Sequence, residues 1–331
     1  MVNKNFEKLL SSSCKSFYSN YFGIEDRIIF ILLFILAALS LLYSSYNQIV
    51  NNYQGNHYLP TFGFYLIPFF VFSTMVGLFS KTQAPKIASF FRGYGIILLT
   101  LCIFGLTANT IQLTPFKTID TTLIAIDSWF GFSTPGIMNW TYQHLNLANF
   151  LNLCYDSLPY EVFLTPWLLV LIGNKKQFDK YACACLISWL IGTSIYYFFP
   201  TIGPASALSD SFFNPSQFNT ILKFNEIHQY QPVTTLDGGL IVFPSFHVIW
   251  AALIIYAFNN YRFYISIPIW IVNILIIAST VLLGRHYAID VVGGIIITFF
   301  SIGLTLRLFN QKGLKRNSNS RRKRRKLLSV I

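Results

Sequence analysis

Long apolar segments recur along the whole chain, and they constrain its fold more than any other feature. A segment that crosses the membrane forms a helix because the hydrocarbon offers no hydrogen-bond partner to a free backbone group. It needs roughly 20 mainly apolar residues because the hydrocarbon is about 30 Å thick. Eight such segments lie at about 28–46, 61–79, 93–112, 159–173, 181–199, 243–258, 263–283 and 289–308. Only 11% of the 331 residues are charged, whereas soluble domains carry roughly a quarter. We therefore predict an all-α integral membrane protein, a polytopic bundle of about eight transmembrane helices.

The basic residues divide unevenly between the two sides that alternating spans define. Cytoplasmic loops of membrane proteins carry an excess of Lys and Arg. With a cytoplasmic N-terminus, that side holds all of the 24 Lys and Arg residues except Lys117, Lys223 and Arg285. We therefore predict that both termini are cytoplasmic, in the cell membrane or, in a eukaryote, an endomembrane.

Two long connections, at about 113–158 and 200–242, then lie on the extracytoplasmic side. The first contains the apolar and aromatic stretch Thr121–Phe130, which is typical of a helix lying in the plane of the membrane interface. It also contains His144, Asn146, Asn149 and Asn152 on one helical stripe. This stripe either lines a headgroup pocket or faces solvent, and we favour the solvated face.

A run of six basic residues, Arg321–Lys326, supplies half of the formal net charge of +12. Such a run can be a nuclear signal or a nucleic-acid-binding arm. Next to a membrane span we favour contact with anionic lipid headgroups, and we predict no nucleic-acid partner. A solvated tail that only fixes the topology fits the sequence equally well.

Two polar clusters stand at the outer mouths of apolar segments, where ionisable residues are functional candidates because placing them in lipid is costly. Ser245 and His247 open the sixth segment, and Arg285, His286 and Asp290 open the eighth. His286 and Asp290 are four residues apart, so they share a helix face, where the carboxylate selects the imidazole tautomer. Ser245 fits a helix N-cap, at a place where free backbone N–H groups also attract anions.

Two imidazoles and a carboxylate in this arrangement suit phosphoryl transfer. One neutral imidazole attacks phosphorus, and the other, when protonated, gives its proton to the leaving alkoxide. Arg285 either holds the phosphate oxygens or serves only as an interfacial anchor. Imidazole supplies both nucleophile and acid, so we predict no metal and no cofactor. The five cysteines show no metal-like spacing with histidine and are interpreted as small core residues.

The motifs Pro244-Ser245-Phe246-His247 and His286-xxx-Asp290-xx-Gly293 resemble the second and third motifs of the type 2 phosphatidic acid phosphatase (PAP2) superfamily. The stretches Phe199-Pro200-Thr201-xx-Pro204 and Tyr155-Asp156-Ser157 are similar to stretches in its inositol-phosphorylceramide-synthase-like branch. The resemblance covers roughly residues 95–308 and implies a six-helix PAP2-like core.

By this resemblance, His286 is the nucleophile that forms a phosphohistidine, Asp290 orients it, and His247 is the general acid. The resemblance further implies that Tyr155, with Ser245 and Arg285, binds the substrate. We predict three regions: 1–92, a cytoplasmic segment with two accessory transmembrane helices; 93–310, the catalytic transmembrane domain; and 311–331, a basic cytoplasmic tail.

Departures from the superfamily pattern bear on the reaction. The chain contains no Arg-Pro dipeptide of the first motif, and Thr280 stands where phosphatases carry the arginine of the third motif. Phe246 stands where most members have glycine before the histidine. A missing or rebuilt phosphate clamp favours a lipid phosphotransferase, with a phospholipid or sphingolipid-like substrate and an alcohol acceptor. The alternatives are a lipid phosphate phosphatase and, more remotely, a non-enzymatic transporter.

Overall fold

The structure is a computed structural model that describes residues 23–53, 61–80, 83–235, 239 and 241–328. The predicted cytoplasmic segment up to residue 22, and the side chains of the basic tail, lie outside this described part. Within it the chain forms twelve helices and no strand. In chain order they are α1 (Ile24–Ile49), α2 (Thr61–Ser80), α3 (Pro85–Thr110), α4 (Asp120–Trp129), α5 (Thr134–Tyr142), α6 (Leu145–Leu171), α7 (Lys175–Phe198), α8 (Pro204–Ala207), α9 (Pro215–His228), α10 (Phe246–Phe258), α11 (Phe263–Leu282) and α12 (Ala288–Leu328).

Each of the eight predicted apolar segments falls on one of these helices. By length and composition, α1, α3, α7, α11 and the Ala288–Asn310 part of α12 can each cross a membrane. The Leu66–Ser80 part of α2 and all of α10 are shorter apolar helices. Large apolar side chains such as Phe34, Phe79 and Phe299 remain exposed, as expected where lipid replaces water. The predicted all-α membrane class is confirmed.

The central helix of the bundle is α7, which packs against α1, α3, α6, α10 and α12. Its small residues Cys183 and Ala184 are fully buried, which allows neighbouring helices to approach closely. Cys154 and Cys185 are also buried, and these cysteines are free thiols, as expected for core residues.

Polar regions lie at both ends of α7. Near its first turn, Asp179 pairs with Arg92 of α3, which also pairs with Asp26 of α1. Just beyond its last residue, the Pro200 carbonyl accepts a hydrogen bond from Ile119 N–H at 2.9 Å, next to α4. A helix of 24 residues is roughly 36 Å long, so these two regions lie at opposite ends of the bundle.

The predicted interfacial stretch Thr121–Phe130 forms α4, a separate ten-residue helix. One face buries Asp120, Leu123 and Asp127, whereas Trp129 at its end is 81% exposed. This division gives α4 an inner face against the bundle and an outer face available to the surroundings.

Candidate active site

The first histidine motif forms the start of α10. Ser245 is the N-cap residue, and its Oγ accepts a hydrogen bond from Val248 N–H at 3.4 Å. Its side chain is fully buried and does not line the cavity described below. The capping interpretation of Ser245 therefore agrees with the structure, while its contact with substrate stays a prediction.

The second motif places His286 in the turn between α11 and α12, and Asp290 in the first turn of α12. His286 Nδ1 lies 3.2 Å from Asp290 Oδ2 and 3.0 Å from the Val242 carbonyl oxygen. Because a carbonyl oxygen can only accept, Nδ1 carries the proton. The neutral ring therefore keeps its lone pair on Nε2. Asp290 is itself fixed, since its Oδ2 accepts the Tyr287 N–H at 2.9 Å.

The two histidines, far apart in the chain, meet at one end of the bundle. The centroids of the His247 and His286 rings are 5.5 Å apart. His247 also stacks on Tyr155 of α6, with centroids 4.2 Å apart and ring planes within 17°. Tyr155 thus contacts His247, while its binding of the substrate stays a prediction.

Arg285 lies beside this pair and is held by residues that sequence analysis did not single out for it. Its Nη1 donates to Ser216 Oγ at 2.6 Å and its Nη2 to Asn152 Oδ1 at 3.4 Å. Its guanidinium carbon lies 5.0 Å from the Tyr155 ring centroid, which is cation–π distance. Gln217 Nε2 binds the Gly284 carbonyl at 2.8 Å, so α9 is joined directly to this turn.

A cavity of about 420 Å³ connects these groups. Its walls include both histidines, Arg285, Tyr155 and Asp156. Helix α9 contributes Ser216, Gln217 and Thr220 to the same cavity. The sequence did not predict α9 as a wall, because the capping box formed by Asn214 and Gln217 indicates the start of a helix but not its position in the bundle.

Burial perturbs two acidic groups next to the second motif. It raises the pKa of the Tyr287 phenol well above its usual range, and the nearby Asp120 carboxyl adds to this increase. Burial also raises the pKa of Asp120, against the effect of hydrogen bonds from Gly203, Ile202 and Tyr287. Tyr287 therefore stays protonated and donates to Asp120 Oδ1 at 3.0 Å. Among the described residues, no group of three or more His, Cys, Asp or Glu is arranged to hold a metal ion.

The fold and this site together define a helical membrane protein with a histidine pair, half-buried His247 and buried His286, at one end of its bundle. The model of the PAP2 superfamily matches residues 121–304, which is more than half of the chain and includes both histidine motifs. The chain therefore belongs to the PAP2 superfamily. Membership supports a lipid enzyme of the phosphatase or phosphotransferase type. Searches of curated proteins and of solved structures gave no match.

Proposed function

We propose that this protein is a lipid phosphotransferase that works through a phosphohistidine intermediate on His286. The observation that carries the proposal is the meeting of His247 and His286, with ring centroids 5.5 Å apart, on the wall of one cavity. The fixed tautomer of His286 supports it, because a lone pair on Nε2 is what a nucleophilic imidazole needs.

In the first half of the proposed reaction, Nε2 of His286 attacks the phosphorus of the donor lipid. The bond between phosphorus and the leaving alcohol oxygen breaks, and protonated His247 gives its proton to that oxygen. Asp290 holds Nδ1–H and stabilises the positive charge that develops on the His286 ring. Arg285 neutralises the phosphate oxygens.

In the second half, the acceptor alcohol enters and His247, now neutral, takes its hydroxyl proton. The alcohol oxygen attacks phosphorus, and the phosphorus–nitrogen bond to His286 breaks. Water in place of the alcohol would make the same site a phosphatase. We favour transfer because the chain has no Arg-Pro dipeptide of the first motif and carries Thr280 where phosphatases carry an arginine, so the phosphate clamp of the phosphatases is missing or rebuilt. The cavity of about 420 Å³ lies in the range of roughly 300–1,000 Å³ typical of small-molecule sites.

The test uses purified protein in phospholipid nanodiscs and a donor phospholipid labelled with ³²P. We expect label in a new lipid product only when an acceptor alcohol is added, and no product from His286→Ala, His247→Ala or Asp290→Ala. Inorganic phosphate as the sole product would instead establish the hydrolase. In a separate assay in sealed liposomes, lipid or solute flux that persists in folded His286→Ala, without any turnover in the wild type, would favour the transporter.

We also propose that the site opens on the extracytoplasmic side and that both termini are cytoplasmic. Arg92 and Lys175 lie at one end of the bundle and the histidine pair lies at the other, in agreement with the excess of Lys and Arg that the sequence assigns to the cytoplasmic side. Residues 93–310 would form the catalytic domain and the tail at 311–331 would contact anionic lipid. Protease digestion of sealed vesicles with the extracytoplasmic face outward tests this topology. Removal of a C-terminal tag by protease added outside the vesicles would overturn it.

A further inference from the structure

Two buried carboxylates on α4 reach the candidate site from outside the cavity. Asp120 and Asp127 are seven residues apart, about two helical turns, so they lie on the same face of α4. Both are almost fully buried, with 3% and 4% of their surface exposed. Neither lines the cavity, so neither would touch a substrate bound there.

Asp127 holds the first turn of α12. Its Oδ2 accepts the Ala288 N–H at 2.7 Å and its Oδ1 accepts the Ile289 N–H at 2.9 Å. These two N–H groups lie between His286 and Asp290 in the chain and would otherwise have no helical partner. A carboxylate at a helix N-terminus is favoured both by its hydrogen bonds and by the helix dipole. Asp127 therefore fixes the direction of the turn that carries Asp290.

Asp120 joins two further segments of the site. It accepts N–H groups of Ile202 at 3.0 Å and Gly203 at 2.8 Å, in the loop after α7. It also accepts the Tyr287 hydroxyl at 3.0 Å, next to His286. Thr201, directly before these loop residues, accepts the Phe243 N–H on its Oγ1 at 2.9 Å, and Phe243 directly precedes the first histidine motif. Asp120 therefore holds Tyr287, next to His286, and also the loop whose Thr201 binds the segment before the first motif.

We propose that Asp127 and Asp120 are positioning residues that keep His286 and Asp290 in the geometry needed for attack on phosphorus. This inference rests on the proposed function. Both act through the backbone and Tyr287, so they set the rate of the chemical step and not the affinity for lipid. Misplacement of a reacting group by about 1 Å can cost on the order of 100-fold in rate, which makes the effect measurable.

The decisive comparison uses Asp127→Asn and Asp127→Ala. Asparagine keeps one acceptor oxygen, so it preserves one of the two N–H bonds, whereas alanine preserves neither. We expect kcat to fall about tenfold in the first variant and about 100-fold in the second, with KM within threefold of the wild type. Formation of the ³²P-labelled enzyme in a single turnover should slow by the same factors.

Glu226→Gln is the matched control. Glu226 is another buried carboxylate, and it accepts the Thr234 N–H at 3.0 Å. Neither Glu226 nor Thr234 lines the cavity. Its loss should lower thermal stability without slowing the chemical step. If folded Asp127→Asn turns over as fast as Glu226→Gln, or if KM rises while kcat is unchanged, the positioning role is overturned.

Folding and function can be separated within the same experiment. Size-exclusion profiles and melting temperatures show which variants fold. If Asp127→Asn does not fold, Asp120→Asn takes its place in the comparison. We expect kcat of Asp120→Asn to fall about tenfold, and a wild-type kcat in this variant overturns the proposal. If the wild type only hydrolyses lipid phosphate, transfer fails as the proposed function. The same ratios of kcat are then measured on hydrolysis, so the positioning role is still tested.

Discussion

At the scale of single residues, Arg285 is the cation best placed to receive a phosphate. Ser216 and Asn152 take its two terminal nitrogens, and the Tyr155 ring supports its plane. Its Nε is buried and has no hydrogen-bond partner in the described part of the chain. An unsatisfied buried donor costs roughly 1–3 kcal/mol, so a bound anion would remove a penalty that the free protein carries.

Replacing Arg285 with lysine should therefore damage turnover although the charge is kept. An ammonium group is a single point and cannot reproduce the planar fork on Ser216, Asn152 and a phosphate. We expect kcat/KM to fall by about 100-fold or more, the range for losing one stabilising donor in a transition state. Steady-state kinetics on the labelled donor lipid measure this.

The control is Arg262→Lys, because Arg262 also contacts a tyrosine: its Nη1 donates to Tyr264 Oη at 3.0 Å. It precedes α11, at the far end of that helix from Arg285. Unchanged kinetics in this variant, together with a loss in Arg285→Lys, would support the assignment. Equal kinetics in both variants would contradict it.

The residues of the histidine motifs were predictable because their chemistry and local spacing are visible in the sequence. The i, i+4 spacing of His286 and Asp290 predicted that the two side chains meet, although His286 lies in the turn before α12 and not on the helix face that the spacing indicated. The contact between Asn152 and Arg285 was not predictable, because the two residues come together only when α6 packs beside the turn between α11 and α12. Asn152 is partly buried and contacts Arg285 without lining the cavity, whereas His144, Asn146 and Asn149 are exposed, which agrees with the solvated face.

At the scale of helices, the close approach of α10 and α12 brings the two motifs together. A β-carbon on Gly294 would lie 2.9 Å from the Val248 side chain and 3.0 Å from the Ser245 carbonyl oxygen. The Ser245 N–H also points at the Asp290 carbonyl, at 3.4 Å. Only glycine at position 294 allows this contact without a shift of the backbone.

Gly294→Ala should therefore push the two helices apart. Overpacking of this kind costs about 1–3 kcal/mol, and here the strain falls between the helices that carry the two histidine motifs. We expect a lower melting temperature and a lower kcat.

Gly303→Ala in the same helix is the control, because a β-carbon at this position meets nothing within 4 Å. Alanine at that position should stabilise the helix by up to about 1 kcal/mol, so equal behaviour of the two variants would refute this account.

Helix boundaries were less predictable than helix positions. Sequence analysis begins the fourth apolar segment at residue 159, but α6 starts at Leu145 and runs through Pro159 and Pro166. Packing within a bundle lets neighbours satisfy the backbone groups that a proline frees, so proline did not mark the boundary. The N-terminal half of α6, which carries Tyr155, falls in the predicted connection 113–158, where the stripe of His144, Asn146, Asn149 and Asn152 was the signal for a helix.

At the scale of the whole molecule, the far end of the bundle is held by a cluster of buried charges. Arg92 of α3 lies between Asp26 of α1 and Asp179 of α7, and Lys175 contacts the second oxygen of Asp179 at 2.7 Å. Both carboxylates are only 2% exposed. The cluster joins α1, assigned from sequence to an accessory region, directly to the central helix. The proposed boundary at residue 92 also falls inside α3.

Removing Arg92 should destabilise the molecule without altering the chemistry at the other end. Arg92→Met leaves two buried carboxylates without their shared cation, and breaking a buried pair in this way costs about 3–5 kcal/mol. We expect a large fall in melting temperature, while kcat per folded molecule stays at the wild-type value.

Arg27→Met is the control, because Arg27 is exposed and surface charges contribute roughly 0–1 kcal/mol. If Arg92→Met and Arg27→Met have the same melting temperature, the charge cluster does not contribute to stability. If it folds normally but loses turnover, the two ends of the bundle are coupled, and α1 acts on catalysis as well as on stability.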